Sequence, residues 1–344
     1  MDPTNPQPDF YNDDAPAPAR GFRHWLLGTP LGCATLAVLP TAVLCTGLTF
    51  LSTNVYRAYG ASVFLASPFI CGLVANAIYT RLNGARHKSL IAMHVVIVLA
   101  VLCTLALLIG TALEGLICVA MAAPLALVMA LLGAWLGEKL ADLLGPARSG
   151  YMFTLLVLLY PLGQDWEAER AAPPAPHLVS TRLLIQAPPA RVWQVISQPV
   201  QYPAEVGWLF RAGVAYPTRT AIERGADGRP RLRCNYSQGA ATLPVTRWQP
   251  GRELTFVVPV MPAPMRELSP YPRIHAPHLH GFFRVDSGTF RLHARPDGTT
   301  LLEARTVYRH SIGPRGYWQL WSDYLLDDVH LRVLTAIKTR AEHE

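Results

Sequence analysis

The sequence predicts a two-part α+β chain: an N-terminal bundle of transmembrane helices, then a curved antiparallel sheet around a long C-terminal helix. Three observations carry this. The 344 residues are 51% hydrophobic and only 15% charged, against about 25% charged in an ordinary soluble domain. The charge is also unevenly placed. Residues 1–164 contain 7 acidic and 8 basic side chains, and the remaining 180 residues contain 16 and 22. Finally, the first part falls into long uncharged windows, and the second into short alternating runs separated by Pro, Gly and Asp.

Residues 1–24, polar and rich in Pro, Asp and Asn, read as a disordered tail and not as a cleavable signal peptide. Five uncharged windows follow: Trp25 to Tyr56, Ala58 to Thr80, Ser89 to Leu113, Gly115 to Gly137, and Ser149 to Gln164. Crossing a ~30 Å hydrocarbon core at ~1.5 Å per residue takes about 20 residues, which the first four supply. The fifth has 16 residues, but Tyr151, Tyr160 and Trp166 flank it as an aromatic belt would, and it is counted as a fifth span. Lys and Arg in alternate short segments number seven (Arg20, Arg23, Arg81, Arg86, Lys88, Lys139, Arg148) against one (Arg57). By the positive-inside rule the N-terminus is cytoplasmic. Five spans then put the C-terminal domain outside the cytoplasm, and four would leave it inside. No charge falls inside the first four windows, which favours an anchor over a transporter.

Residues 165–176, DWEAERAAPPAP, read as a linker, and the domain starts near His177. HLVSTRLLIQA alternates as a strand does. In PPARVWQVISQ, two prolines suit a first helical turn, and Val192, Val195 and Ile196 recur at helical spacing. Strand-like segments follow: AYPTRTAIER, RLRCNYSQ, LPVTRW, ELTFVVPV, GTFRLHARP and TLLEARTVYRH, separated by GADGRP, QPGR and PDGT turns. Residues 262–281, rich in Pro and His, form an excursion between strands. From Pro314 to about Glu342 no Gly or Pro interrupts a helix after its first turn, apart from Gly316. Trp318, Trp321, Leu325, Val329, Val333 and Ala336 share one face of it.

Several function classes are excluded. Of the 30 basic residues 27 are Arg, spread without the clustering that nucleic-acid binding requires. Cys33, Cys45, Cys71, Cys103 and Cys118 lie in apolar segments, Cys234 stands alone, and no CxxC zinc pair occurs. HExxH, GxSxG, GxGxxG and GxxxxGK[ST] are all missing. His275, His278 and His280 form a close cluster, but spacing alone builds no ligand shell; they are expected to be ordinary loop histidines, and no metal or cofactor is expected.

The pieces IQAPPARVWQVIS, WQPGRELTFVV and DGTTLLEARTVYRHSIGPRGYWQLWSDYLLDDVHLRVLTAIK, within residues 178–342, resemble the START-like superfamily, also called SRPBCC or polyketide cyclase-like. LFRAGVAYP, MRELSPY and PHLHGFF resemble a bacterial subgroup in which such a domain follows a multi-span membrane segment. The resemblance implies a helix-grip fold, a bacterial inner-membrane location and an internal cavity. Its members bind lipids, sterols, polyketides or plant hormones, and some are enzymes.

The expected reading is therefore a membrane-anchored module holding a hydrophobic small molecule or lipid, without nucleic acid. The expected ligand contacts are Trp318, Trp321, Leu325, Val329, Tyr308, Arg233 and Glu267. Strand alternation sends Arg233 and Asn235 to one face and Cys234 and Tyr236 to the other, and it opposes Glu303, Arg305 and Val307 to Ala304, Thr306 and Tyr308. Which face is inner stays open at this stage. Two alternatives stand beside this reading. One is an enzyme of cyclase, dehydratase or hydrolase type acting on a membrane-derived substrate, which two convergent titratable groups in the cavity would favour. The other is an assembly or partner-docking role, which a collapsed core would favour.

Overall fold

A computed structural model describes residues 26–83, 89–170, 172–266, 268–271 and 281–343. The N-terminal part is helical: α1 (Pro30–Phe50), α2 (Ser67–Asn83), α3 (Leu90–Gly110), α4 (Leu116–Leu144) and α5 (Pro146–Glu169). α1 runs on into a π-helical turn, Leu51–Val55, and a second one, Ser62–Ala66, leads into α2. The first four helices, including these turns, are long and apolar enough to cross a membrane. Their bundle is held by small residues. A Cβ at Gly72 would collide with the Ala130 carbonyl, and one at Gly133 with the Phe69 carbonyl. α2 and α4 therefore touch backbone to backbone, as membrane helices do where dispersion replaces the hydrophobic effect. Asn76 Nδ2 donates to the Ala134 carbonyl (3.1 Å) across the same crossing.

The fifth window forms α5 but is not among the four helices apolar enough to cross a membrane. Its sequence extends past Gln164 into Asp165, Glu167 and Glu169. It nevertheless returns along the bundle. Tyr160 Oη meets Ser52 Oγ at 2.7 Å, and the Glu167 carboxylate accepts from Ala61 N (2.5 Å) and Ser62 N (3.0 Å), capping the turn that leads into α2. The C-terminal end of α5 thus lies at the end of the bundle that carries residues 56–61, opposite Pro30.

The C-terminal part contains β1 (His177–Ile185), α6 (Pro189–Ser197), β2 (Val200–Gln201), α7 (Trp208–Arg211), β3 (Pro217–Arg224), β4 (Pro230–Tyr236), β5 (Gly239–Gln249), β6 (Glu253–Val257), β7 (Phe283–Ala294), β8 (Thr300–His310) and α8 (Arg315–His343). All strands pair antiparallel in the order β1-β8-β7-β6-β5-β4-β3-β2. Register runs from His177↔Tyr308 to Ile185↔Thr300 between β1 and β8, and bulges interrupt β7 between Val285 and Ser287 and β5 between Val245 and Arg247. Such bulges add the bend that curls a sheet. The PDGT turn is set by chemistry: Gly298 takes φ +81°, and Asp297 Oδ1 accepts from Thr299 N at 3.0 Å. The region has the helix-grip fold.

The register settles which face is inner. Leu232 pairs with Leu243 and Cys234 with Ala241, all four buried, whereas Arg233 pairs with Thr242 on the opposite face. The core between sheet, α6 and α8 is built on Ile185, Val192, Leu254, Leu302, Leu334 and Ile337. Each such side chain contributes ~1.5–3 kcal/mol by leaving water. β2 and α7 have no counterpart in the sequence reading. With two and four residues, neither is long enough to show a period.

The sheet does not stand apart from the bundle. Leu116 N donates to the Leu268 carbonyl (3.0 Å) and Gly313 N to the Tyr59 carbonyl (2.7 Å). Tyr317 Oη donates to the Met121 carbonyl and Tyr271 Oη to the Gly110 carbonyl. Described residues of the 262–281 excursion thus strap the domain onto the ends of α3 and α4.

Candidate functional site: a cavity shared by domain and bundle

The sheet, α8 and the N-terminal helices together enclose a cavity of ≈ 340 Å³, within the range of small-molecule sites. Its domain wall comes from β4, β5 and β6 (Leu232, Leu243, Phe256), from β7 and β8 (Phe290, Thr306), and from α8. α8 lines the cavity along most of its length, through Trp318, Trp321, Leu325, Val329, Val333 and Ile337, and Val333, Leu334 and Ile337 also pack in the core.

Four of the seven expected contacts are therefore brought together. Trp318 does more than line the space. It is 6% exposed, its indole Nε1 donates to the Gly313 carbonyl (3.1 Å), and its ring sits 4.8 Å from that of Phe64 in the bundle. Ile117 and Met121 of α4 complete that cluster.

The other three expected contacts stand otherwise. Arg233 is a correction: it projects from the convex face, over half exposed, 3.7 Å from Glu223. Tyr308 points inward but is not among the lining residues: it is fully buried, donating to Asp323 Oδ1 (2.6 Å) and stacked on Phe283. Glu267 lies outside the described residues, as do His275, His278 and His280. Glu303 faces outward, where its carboxylate accepts from Ser180 (2.7 Å), Arg182 (3.0 Å) and His293 (3.2 Å). Burial raises its pKa, but these donors outweigh it and hold the group at about 2. It is a structural ion cluster on the outer face.

The sequence reading missed two polar members of the α8 wall, Ser322 and His330. His330 stands four residues after the lining Leu326, so helical spacing carried the signal. Thr181 donates to Asp327 Oδ1 (2.5 Å), so its oxygen accepts from His330 Nδ1 (2.9 Å). Thr306 then donates to Nε2 (2.7 Å). Burial pushes the imidazole down to about 4, against the pull of Asp327, and both nitrogens of the neutral ring are engaged by the protein. Tyr202 pairs with Thr220 (2.9 Å), and burial raises both the Tyr202 and Tyr236 phenols. Burial also pushes the Cys234 thiol up to about 11, so it stays protonated and a weak nucleophile at neutral pH.

The wall continues into the bundle. Cys45 and Thr49 of α1, Cys71 of α2, Thr104 and Leu108 of α3, and Cys118 and Ala122 of α4 line the same cavity. None of the described α5 residues does. Where the two parts meet, Tyr59 Oη donates to Glu114 Oε1 (2.8 Å), and Glu114 is 7% exposed.

No family model and no curated protein matches the chain. Solved structures match its C-terminal half. It is similar to a START superfamily protein from Mycobacterium smegmatis, at 14% identity over 48% of this chain and 97% of that one, with a TM-score of 0.31. It is also similar to the ZhuI aromatase/cyclase from Streptomyces sp. R1128, at 14% identity over 49% and 94%, with a TM-score of 0.30. Norcoclaurine synthase from Thalictrum flavum, in complex with dopamine and hydroxybenzaldehyde, matches at 12% identity over 50% and 90%, with a TM-score of 0.30. The fold assignment rests on the strand order and register described above.

Proposed function

We propose that this chain is a membrane-anchored protein that holds a hydrophobic small molecule or lipid in its helix-grip domain. The carrying observation is the cavity itself: ≈ 340 Å³ behind a wall of Leu, Val, Phe, Trp and Met side chains. Affinity comes from apolar burial at ~25 cal/mol per Å², and the few polar groups set orientation. His330 has both nitrogens committed and the Cys234 thiol stays protonated, which supports binding over proton transfer or nucleophilic attack. Arg81 and Lys139 lie towards the end of the bundle far from the domain and Arg57 at the near end, and by sequence Arg86, Lys88 and Arg148 belong to the same connecting segments as Arg81 and Lys139. This supports an extracytoplasmic domain on a multi-pass inner-membrane protein.

The test is to purify the full chain from membranes in mild detergent and identify by mass spectrometry what it retains. About one apolar molecule per chain, enriched over bulk lipid, is expected, and Val285→Trp, which fills the cavity wall, is expected to expel it. A folded chain retaining no such molecule, or the variant retaining it unchanged, overturns the reading.

A further inference from the structure

Most of the cavity wall described above belongs to the domain, but part of it belongs to no soluble fold. All four membrane-length helices contribute to it, through Cys45, Cys71, Thr104 and Cys118. The domain is fastened to the bundle around this junction: Leu116 to Leu268, Gly313 to Tyr59, and Trp318 against Phe64. The cavity therefore opens from the sheet into the helix bundle. An apolar molecule leaving the bilayer through the bundle would reach the sheet without crossing water, avoiding a cost of ~0.8 kcal/mol per exposed CH₂.

The wall of the bundle lobe is apolar or carries hydroxyl and thiol groups, several of them already bonded within the protein. Thr49 and Thr104, for example, donate to carbonyls one turn back at 2.9 and 2.8 Å. The acidic side chain there is Glu114, at the junction, with the Tyr59 hydroxyl on Oε1. A carboxylate offers about four lone-pair positions, so it can accept a ligand O–H in addition to Tyr59. It disfavours a ligand carboxylate, because two carboxyl groups sharing one site cannot both ionise.

Resting on the binding reading above, we infer that the bundle lobe is half of one binding site, and that its occupant is a bilayer-derived long-chain lipid with a free hydroxyl. The hydroxyl sits at the Glu114–Tyr59 junction, and the chain runs along the cavity that both parts line.

The experiment uses the full chain in phosphatidylcholine vesicles with hexadecanol carrying a mid-chain diazirine. Labelled peptides are mapped with and without a hundredfold excess of plain hexadecanol, so that labelling competed away marks the site and the rest marks the lipid-facing surface. The expected result is competed labelling both around Cys71 and Thr104 and on β4–β6, with hexadecanoic acid competing at least tenfold less well than hexadecanol. Cys71→Phe, filling the bundle lobe, is expected to cut competed labelling at least tenfold. Glu114→Gln is expected to narrow the alcohol-to-acid preference to less than threefold. Competed labelling confined to the domain and unmoved by Cys71→Phe overturns the shared site and leaves the binding reading standing. No competed labelling on the domain overturns the binding reading itself. If Cys71→Phe fails to give a cooperative melt, Ala122→Phe replaces it, and the wild-type map decides between these outcomes without either variant.

Discussion

His330 carries a pH signature that His310 shares in direction, since burial lowers both imidazoles. Its folded pKa of about 4 lies below the ordinary 6.5, so the fold prefers the neutral ring. Above pH 6.5 both folded and unfolded chains hold it neutral and stability is flat. As pH falls from 6.5 towards 4 the unfolded chain takes up a proton that the fold refuses, and stability drops by ~3 kcal/mol. His330→Gln should weaken the pH dependence of the melting temperature across that window, followed by intrinsic tryptophan fluorescence, with His310 leaving a remainder of the same sign. Glu303 behaves oppositely in origin: its depressed carboxyl, at about 2, stabilises the fold above about pH 4.5 and is lost only below it, so the two windows separate. Arg332 is the third residue with a clear expectation. Its guanidinium donates to the Pro217 (3.2 Å), Glu205 (3.0 Å) and Pro203 (2.5 Å) carbonyls and lies 4.9 Å from the Tyr216 ring centroid. Arg332→Lys keeps the charge but not the fork, and should cost ~2 kcal/mol of stability in denaturant titrations. Residue roles were only partly legible. The α8 stripe from Trp318 to Val329 could be read from spacing, but the inward face of β4 could not, because Arg233 and Cys234 alternate equally well in either sense until the partner strands are known.

At the scale of elements, the α2–α4 crossing is set by two glycines. Gly72→Leu or Gly133→Leu drives a side chain into a facing carbonyl and should abolish a cooperative melt of the purified chain. Gly47, in α1, has open space where its Cβ would be. Gly47→Ala should be neutral or stabilise by up to ~1 kcal/mol, since it only removes backbone freedom. A comparison of the variants' melting temperatures checks both. Elements long enough to show a period were readable: β1, β3, β4, β6, β8, α6 and α8 all fall on the expected segments. β5 and β7 run longer than their apolar alternation, because Gly239–Ala240 and Phe283–Val285 are held by ladder pairing with no pattern of their own. α5 outruns its apolar window because Asp165–Glu169 continue the helix to cap the chain at Ala61.

For the whole molecule, the decisive feature was invisible in the sequence. Cys71 and Leu325 line one cavity, and no local pattern connects positions so far apart. Trp318 is the hinge of that assembly, buried between Phe64, Ile117 and Met121. Trp318→Ala should cost ~3–5 kcal/mol and split a single calorimetric transition into two as the domain uncouples from the bundle. The proposed extracytoplasmic side of the domain is testable with the same chain. A C-terminal alkaline phosphatase fusion should be active and a C-terminal green fluorescent protein fusion exported through the general secretion route should be dark.

Four of the six free thiols, Cys45, Cys71, Cys118 and Cys234, border the cavity. They are distributed along it from the bundle to the sheet. The molecule thereby carries an occupancy gauge of its own. A small apolar alkylating reagent that can follow a lipid into the cavity, used at alkaline pH where the buried Cys234 thiol also ionises, will modify these sites one by one, and the pattern of protected thiols reads how far along the cavity any bound chain extends.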